Sequence, residues 1–251
     1  MKKRKLLSTL LIVGSAFLCA NASAGVVLAG TRVIFSGAER EVTVKVANEG
    51  KVPALVQAWF DTGNFNESPD LIDVPFTLTP SMFRLEPGRG QMLRIIRDGD
   101  TLPSDKESLF WLNVLEIPPS ASRADGRNKL QVAFRTRVKM MYRPDGLPGS
   151  ASSAPSELQW SFARKGTGGY TLSAVNPTPY VVNLGYVMLK SGGNEYEAKP
   201  GYVLPRSTSA FDVEKAIAQP VDNVTVKFGA IDDWGGTRTY ELPVHRGGKA
   251  E

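Results

Sequence analysis

The sequence predicts an all-β protein built from two β-sandwich domains, and three observations lead to that prediction. Short stretches in which apolar and polar residues alternate recur along the chain, as at 42–46. Turns rich in Gly and Pro, such as 86–88, separate these stretches. Segments with the 3.6-residue period of a helix are scarce, and 213–218 is long enough for one helical turn at most. Regular alternation between turn signals is typical of sandwiches and barrels.

The individual strands follow from the same alternation. In the first half of the chain they are predicted at 42–46, 55–60, 92–96, 109–117 and 130–142. In the second half they are predicted at 158–162, 170–172, 180–190, 224–231 and 239–244. Between the two groups, residues 144–153 have the Pro, Gly and Ser content of a linker. We therefore expect one domain over 25–145 and a second over 150–246, each large enough to bury its own core.

Residues 1–24 have the three parts of a secretory signal peptide. A basic start at 2–5 precedes an apolar stretch at 6–20, and Ala22-Ser23-Ala24 supplies small residues for cleavage. The alternative is a membrane anchor, but a spanning helix needs about 20 apolar residues and this stretch is shorter. We expect export, cleavage after Ala24 and no insertion of the mature chain into the membrane.

The composition of the remaining chain excludes several classes of function. Of the 30 Lys and Arg residues, four lie in the signal segment, which leaves 26 basic against 25 acidic residues and a charge of about +1. A chain with so little excess charge does not fit a nucleic-acid-binding protein. Cys19 leaves with the signal, so the mature chain has no disulfide, no thiolate metal site and a single His. No metal or other cofactor is expected.

The residues that could serve an enzyme are few. His245 is the single imidazole and lies near the C-terminus, where we expect a solvated tail residue and not a catalytic base. Asp232 and Asp233 are adjacent, so on a strand they would point to opposite faces and could not form a facing acid–base pair. Pairing at a turn is the expectation for them. The sequence predicts that the protein is not an enzyme.

The long predicted strand at 130–142 is the most informative segment. Leu130, Val132 and Phe134 begin a row of apolar residues at even positions, whereas Arg135, Arg137 and Lys139 stand at odd positions. One interpretation is a core strand with a solvated basic face, which we expect for its second half. The other is an edge strand offered to a partner, because an exposed apolar edge is an aggregation hazard unless something pairs with it.

Six segments, in order along the chain, resemble the periplasmic pilus-assembly chaperones of the PapD-like family. They lie at 30–35, 79–88, 107–119, 139–144, 176–180 and 233–236, and the block Glu107-Ser108-Leu109-Phe110-Trp111-Leu112-Asn113-Val114-Leu115-Glu116-Ile117-Pro118-Pro119 is the most specific. The resemblance implies two immunoglobulin-like β-sandwich domains with a cleft between them. It also implies an ATP-independent chaperone that binds pilin subunits by donor-strand complementation and delivers them to an outer-membrane usher.

The resemblance also assigns roles to particular residues. Arg32 and Lys139 match the pair that holds the C-terminal carboxylate of the subunit. The apolar residues that enter the groove of the subunit match Leu130, Val132 and Phe134, and an interdomain charge network matches Glu107, Arg143 and Asp233. The short connection at 120–129 implies the short-loop branch of the family.

Other functions stay open at this point. The chain could be a secreted structural or adhesive fibre component, or a periplasmic enzyme, although the second lacks an evident catalytic constellation. A homodimer in which two copies cover each other's apolar strand is a further expectation for the free protein.

Overall fold

A computed structural model describes residues 25–99, 102–119, 130–164, 169–213 and 224–246. Within these ranges, nine strands form the first part of the fold: β1 (Val26–Leu28), β2 (Arg32–Ser36), β3 (Glu41–Asn48), β4 (Ala54–Asp61), β5 (Phe76–Thr79), β6 (Met82–Leu85), β7 (Gly90–Arg97), β8 (Ser108–Ile117) and β9 (Phe134–Arg143). A short 3-10 helix at Pro69–Leu71 lies between β4 and β5.

These nine strands make two sheets that face each other. One sheet has the order β1-β3-β7-β5, and the other has the order β2-β9-β8-β4-β6. All pairs are antiparallel except β2 with β9. Alternation sets the faces: along β3, Val44 and Val46 are buried whereas Lys45 is exposed. A core of aliphatic and aromatic side chains fills the space between the sheets, including Phe35 packed on Phe76 with ring centroids 5.3 Å apart.

The remaining strands form the second sandwich. They are β10 (Gln159–Arg164), β11 (Tyr170–Asn176), β12 (Val182–Ser191), β13 (Asn194–Ala198), β14 (Tyr202–Val203), β15 (Ser207–Asp212), β16 (Thr225–Ile231) and β17 (Thr237–Arg246), with a 3-10 helix at Ala154–Glu157 before them. The main order is β13-β12-β16-β17-β10-β11-β15. Because β17 pairs antiparallel with β16 and parallel with β10, it joins the two layers around the buried Trp160.

The predicted fold class is confirmed, and the ten predicted strands all contain observed strand. The sequence missed β1, β2, β5, β6, β13, β14 and β15, which are short or lack a long alternating pattern. The predicted strand at 130–142 was wrong in its start, since pairing with β8 begins at Phe134.

Some of the predictions concern residues that lie partly or wholly outside the described ranges. Of the possible helical turn at 213–218, Val213 forms an isolated bridge with Ala198, and 214–218 lie outside the described residues. The signal segment 1–24 and the connection at 120–129 lie outside them as well. Within the described part of the chain, no helix has the length and apolar character needed to cross a membrane.

Candidate functional site

Strand β9 has a paired part and an open part. On one side it pairs with β8 from Phe134 to Tyr142. On the other side β2 pairs with it only from Lys139 to Arg143. The backbone edge of β9 before Lys139 therefore has no neighbouring strand among the described residues, and it could accept one.

Two cations lie side by side at the point where the open edge ends. Arg32, the first residue of β2, is the register partner of Lys139. The Lys139 Nζ donates a hydrogen bond to Asn183 Oδ1 of the second domain at 2.6 Å. The Arg32 Nη1 donates to the carbonyl oxygen of Ile231 at 3.2 Å. The structure thus brings the two predicted anchor residues together in the cleft between the domains.

The electrostatics of this pair favour an anion. Burial and, to a smaller extent, the neighbouring Arg32 charge lower the pKa of Lys139 to about 8. Burial also lowers the pKa of Arg32, although Asp232 and Asp233 act in the opposite direction. Among the described residues, no carboxylate lies within ion-pairing distance of either cation. A carboxylate placed here would accept charge-assisted hydrogen bonds and relieve the repulsion between the two positive charges.

The three predicted groove-filling residues are exposed although they are apolar. The exposed fractions are 91% for Leu130, 45% for Val132 and 63% for Phe134. Farther along the same alternation, Met140 is 0% exposed in the core. A row of uncovered apolar side chains beside an open strand edge is a surface that a partner strand can cover.

The basic face of β9 is not solvated, so that expectation was wrong. The Arg137 Nε donates to Asp61 Oδ2 at 2.9 Å, and its guanidinium lies 4.0 Å from the centroid of the Trp111 ring. Arg135 lies over the rings of Trp59 and Phe65, at 4.8 and 4.1 Å. Aromatic side chains on β4, on β8 and after β4 cover the cations, and an alternation pattern in one strand cannot reveal such neighbours.

The three residues predicted to form the interdomain charge network lie in contact. The Arg143 Nη1 and Nη2 donate to the two oxygens of Asp233 at 2.7 and 2.9 Å. The Arg143 Nε donates to Glu107 Oε1 at 2.5 Å, and Glu107 Oε2 accepts from the backbone N–H of Val181 at 2.7 Å. Burial opposes the charge of Arg143, but Asp233 and Glu107 outweigh it and raise its pKa. The network connects the end of β9 with the second domain.

Two other candidates are placed differently. Asp232 is a turn residue, as expected: its Oδ1 accepts from the N–H groups of Trp234 and Gly236 at 3.0 and 2.8 Å. His245 is exposed, but it is no tail residue, because it lies in β17 opposite Ser161. No sequence pattern pointed to Asn183, Tyr202 or Asp61, because their contacts with Lys139 and Arg137 join distant parts of the chain.

Comparison with known proteins places the chain in a family. Residues 25–148 match the family model of the pili and flagellar-assembly chaperone PapD N-terminal domain, and residues 153–242 match that of the PapD C-terminal domain. The chain is 44% identical over 227 residues to the chaperone protein FimB/FhaD of Bordetella pertussis, covering 89% of each chain. The protein therefore belongs to the PapD-like chaperone family.

Solved structures agree with this assignment. The crystal structure of the YadV chaperone is 37% identical, with a TM-score of 0.74, and the match covers 88% of this chain and all of that one. The SafB chaperone, determined in complex with the SafA pilin of Salmonella enterica, is 27% identical with a TM-score of 0.71, covering 89% and 98% of the two chains. Both domains are immunoglobulin-like sandwiches, as the resemblance implied.

Proposed function

We propose that this protein is an ATP-independent periplasmic chaperone that caps fimbrial subunits by donor-strand complementation and passes them to an outer-membrane usher. The observation that carries the proposal is the arrangement of residues along the open edge of β9. An open edge with exposed apolar residues runs up to two half-buried cations that have no carboxylate partner in the described part of the chain. The names of the relatives, which are chaperones and not enzymes, support the same function.

The direction of the bound strand follows from the anchor. A subunit whose C-terminal carboxylate binds Arg32 and Lys139 must extend back along the open edge toward Leu130. Its strand then runs parallel to β9, in line with β2, which already pairs parallel with β9. Leu130, Val132 and Phe134 fill the groove of the subunit, and the anchor fixes the register, because a slip of one residue would turn every side chain to the other face.

The interdomain network serves orientation in this proposal. Arg143, Glu107 and Asp233 hold the second domain against the end of β9, so that Asn183 stays within reach of Lys139. The division into 25–145 and 150–246 puts the linker directly after this strand. Export with cleavage after Ala24 would bring the mature chain to the periplasm, and the short connection at 120–129 is in keeping with the short-loop branch.

We further propose that the free protein forms a homodimer in which the second copy covers the open edge of β9. Leu130 and Phe134 are more than half exposed, and a row of apolar side chains on an unpaired edge favours pairing with a second copy. Subunit binding would then compete with dimerisation, so that added subunit converts the dimer to a one-to-one complex.

An affinity pull-down from the periplasm of the native source tests the proposed function. Tagged wild-type protein is compared with Arg32→Ala/Lys139→Ala, and bound proteins are identified by mass. The control is Lys45→Ala/Arg94→Ala, which removes two exposed cations from the other sheet. We expect wild type and control to retain a pilin-sized partner in one-to-one ratio, and the anchor variant to lose it while staying folded. If the anchor variant still retains the pilin-sized partner, Arg32 and Lys139 are not the anchor.

A further inference from the structure

The cleft face of the first domain carries a cation–aromatic ladder, formed by Trp59, Phe65, Trp111, Arg135 and Arg137, that the anchor does not explain. The ladder covers the open half of β9 on the face opposite Phe134. Each guanidinium lies over two rings: Arg135 over Trp59 and Phe65, and Arg137 over Trp111 at 4.0 Å and Phe65 at 5.9 Å. At the end of the ladder, Lys139 lies 4.5 Å from the ring centroid of Tyr202.

One buried carboxylate serves both arginines, and it is already fully occupied. Asp61 has a side chain that is 0% exposed, and it pairs with Arg137. It also accepts from Asn113 Nδ2 and from the N–H of Gly63, both at 2.7 Å. These hydrogen bonds and the Arg137 charge outweigh burial and lower the pKa of Asp61. Asp61 is therefore charged at neutral pH and satisfied mainly by Arg137.

The charge of Arg135 is left largely uncompensated. Its Nε donates to Asn113 Oδ1 at 3.0 Å and its Nη1 to the carbonyl oxygen of Phe65 at 2.8 Å, and both acceptors are neutral. Its Nη2 lies 3.5 Å from Asp61 Oδ2 but has no hydrogen-bond acceptor among the described residues. Two guanidiniums and one carboxylate leave the ladder with a net positive charge, next to the two anchor cations.

A strand bound at the open edge would pass beside this ladder. The register partners Arg32 and Lys139 lie on the same face of the sheet, so a strand in line with β2 has every second side chain on the face of Arg135 and Arg137. Successive side chains on one face lie about 6.6 Å apart, which is also the spacing of Arg137 and Arg135 along β9. Two side chains of the bound strand therefore come to lie beside the two arginines.

We propose that the ladder is a second recognition surface, which selects subunits whose C-terminal strand carries acidic side chains at the two positions beside Arg137 and Arg135. The inference rests on the proposed function. Acidic side chains complement the net positive charge of the ladder, and basic ones are repelled. The ladder therefore discriminates between subunits that all have a C-terminal carboxylate, which the anchor alone cannot do. The rings hold the guanidiniums in place, which limits the side-chain entropy lost on binding.

Peptides that imitate the subunit strand test this selection on the full-length mature protein. Each has a free C-terminal carboxylate and alternating apolar residues, and the remaining positions carry Gln. In one series Glu replaces Gln at the two of these positions nearest the terminus, which are two residues apart, and in a second series the alternation is shifted by one residue. An amidated copy of each peptide reports on the anchor. Binding is measured by calorimetry at low and high salt.

The test variant is Arg135→Gln, because Arg137 must stay to hold the buried charge of Asp61. Arg94→Gln is the matched control: Arg94 pairs with the exposed Glu41 on the other sheet, and its loss changes the net charge by the same amount. Thermal unfolding shows whether each variant is folded. A variant that removes the buried pair together, Asp61→Asn/Arg137→Gln, leaves Arg135 in place and should keep the preference for Glu.

We expect the free-carboxylate Glu peptides of one series to bind about tenfold more tightly than their Gln counterparts at low salt, and less so at high salt. Arg135→Gln should reduce that ratio, whereas Arg94→Gln should not. If the Glu and Gln peptides bind equally well, and both lose binding when amidated, the inference about the ladder is overturned but the proposed function is not. An equal weakening of both by Arg135→Gln would also overturn it, since the ladder would then only stiffen β9. Failure of every peptide to bind would overturn the proposed function together with the inference.

Discussion

The two halves of β9 have the same alternation and opposite environments. In the second half, Met140 and Tyr142 are buried in the core and β2 covers the edge. In the first half, Phe134 is 63% exposed and no described strand covers the edge. The difference lies in the neighbour, because β2 begins at Arg32 and so ends its pairing at Lys139. A strand can therefore belong to the core of its own domain at one end and leave its edge open at the other.

The boundary between the halves is marked by charge. Lys139 and Arg32 lie where the covered edge becomes the open edge. In the proposed function their charges, which have no carboxylate partner among the described residues, define where the strand of the subunit ends. Apolar residues on the open side give affinity without setting a position, since one alternating strand can slide along another by two residues. A charged stop at the boundary would remove this ambiguity, which is the role that the proposed function gives to the two cations.

The largest expected effect is a loss of stability when Arg143, at the end of the covered half of β9, loses its charge. Arg143→Met leaves Glu107, whose side chain is 1% exposed, without its counter-ion, and we expect the free energy of unfolding to fall by about 4 kcal/mol. Arg135→Met in the open half leaves Asp61 paired with Arg137, so the loss should stay below about 1 kcal/mol. Urea unfolding measures both. Similar losses for the two variants would contradict the distinction between the halves.

Truncation of one apolar residue in each half separates stability from binding. Met140→Ala opens a cavity in the core and should lower the free energy of unfolding by about 3 kcal/mol. Phe134→Ala should change it by less than about 0.5 kcal/mol but weaken subunit binding by at least about tenfold. Urea unfolding and calorimetry with purified subunit give the two values. A Phe134→Ala variant that binds normally would show that this side chain does not enter the subunit.

The smallest expected effect is a pH dependence at the boundary. We expect the subunit carboxylate to bind the protonated Lys139, whose pKa is about 8 in the free protein, so the affinity should fall by up to about tenfold between pH 8 and pH 9. Stability should move the other way. Because the unfolded chain holds this proton up to its ordinary pKa of 10.5, the folded state becomes relatively more stable between pH 8 and 10.5.

Lys139→Met serves as the control for both trends. The variant should lose the two opposite slopes above pH 8, and a slope that persists in it would assign the titration to another group. Calorimetry with subunit and urea unfolding at matched pH values provide the measurements.

Much of the site could be predicted from the sequence because its members lie in recognisable segments. Arg32, Lys139 and Arg143 stand within or beside strands whose alternation or family resemblance is evident, and the structure brings each to its expected neighbour. Asn183 and Tyr202 could not be found in this way. They reach Lys139 only because the second domain packs against the end of β9, and no local pattern records a contact between residues so far apart in the chain.

The all-β class, the two sandwiches and the apolar row that begins at Leu130 could be predicted from the amino-acid sequence alone, since period-two alternation and turn residues act locally. Which part of that row is core and which is surface depends on the folded structure, because the edge is covered only from the point where β2 begins. The folded structure also brings Trp59, Phe65 and Trp111 over Arg135 and Arg137, which leaves these side chains mostly buried. Burial is a property of neighbours, and in a β-sandwich the neighbours come from distant parts of the chain.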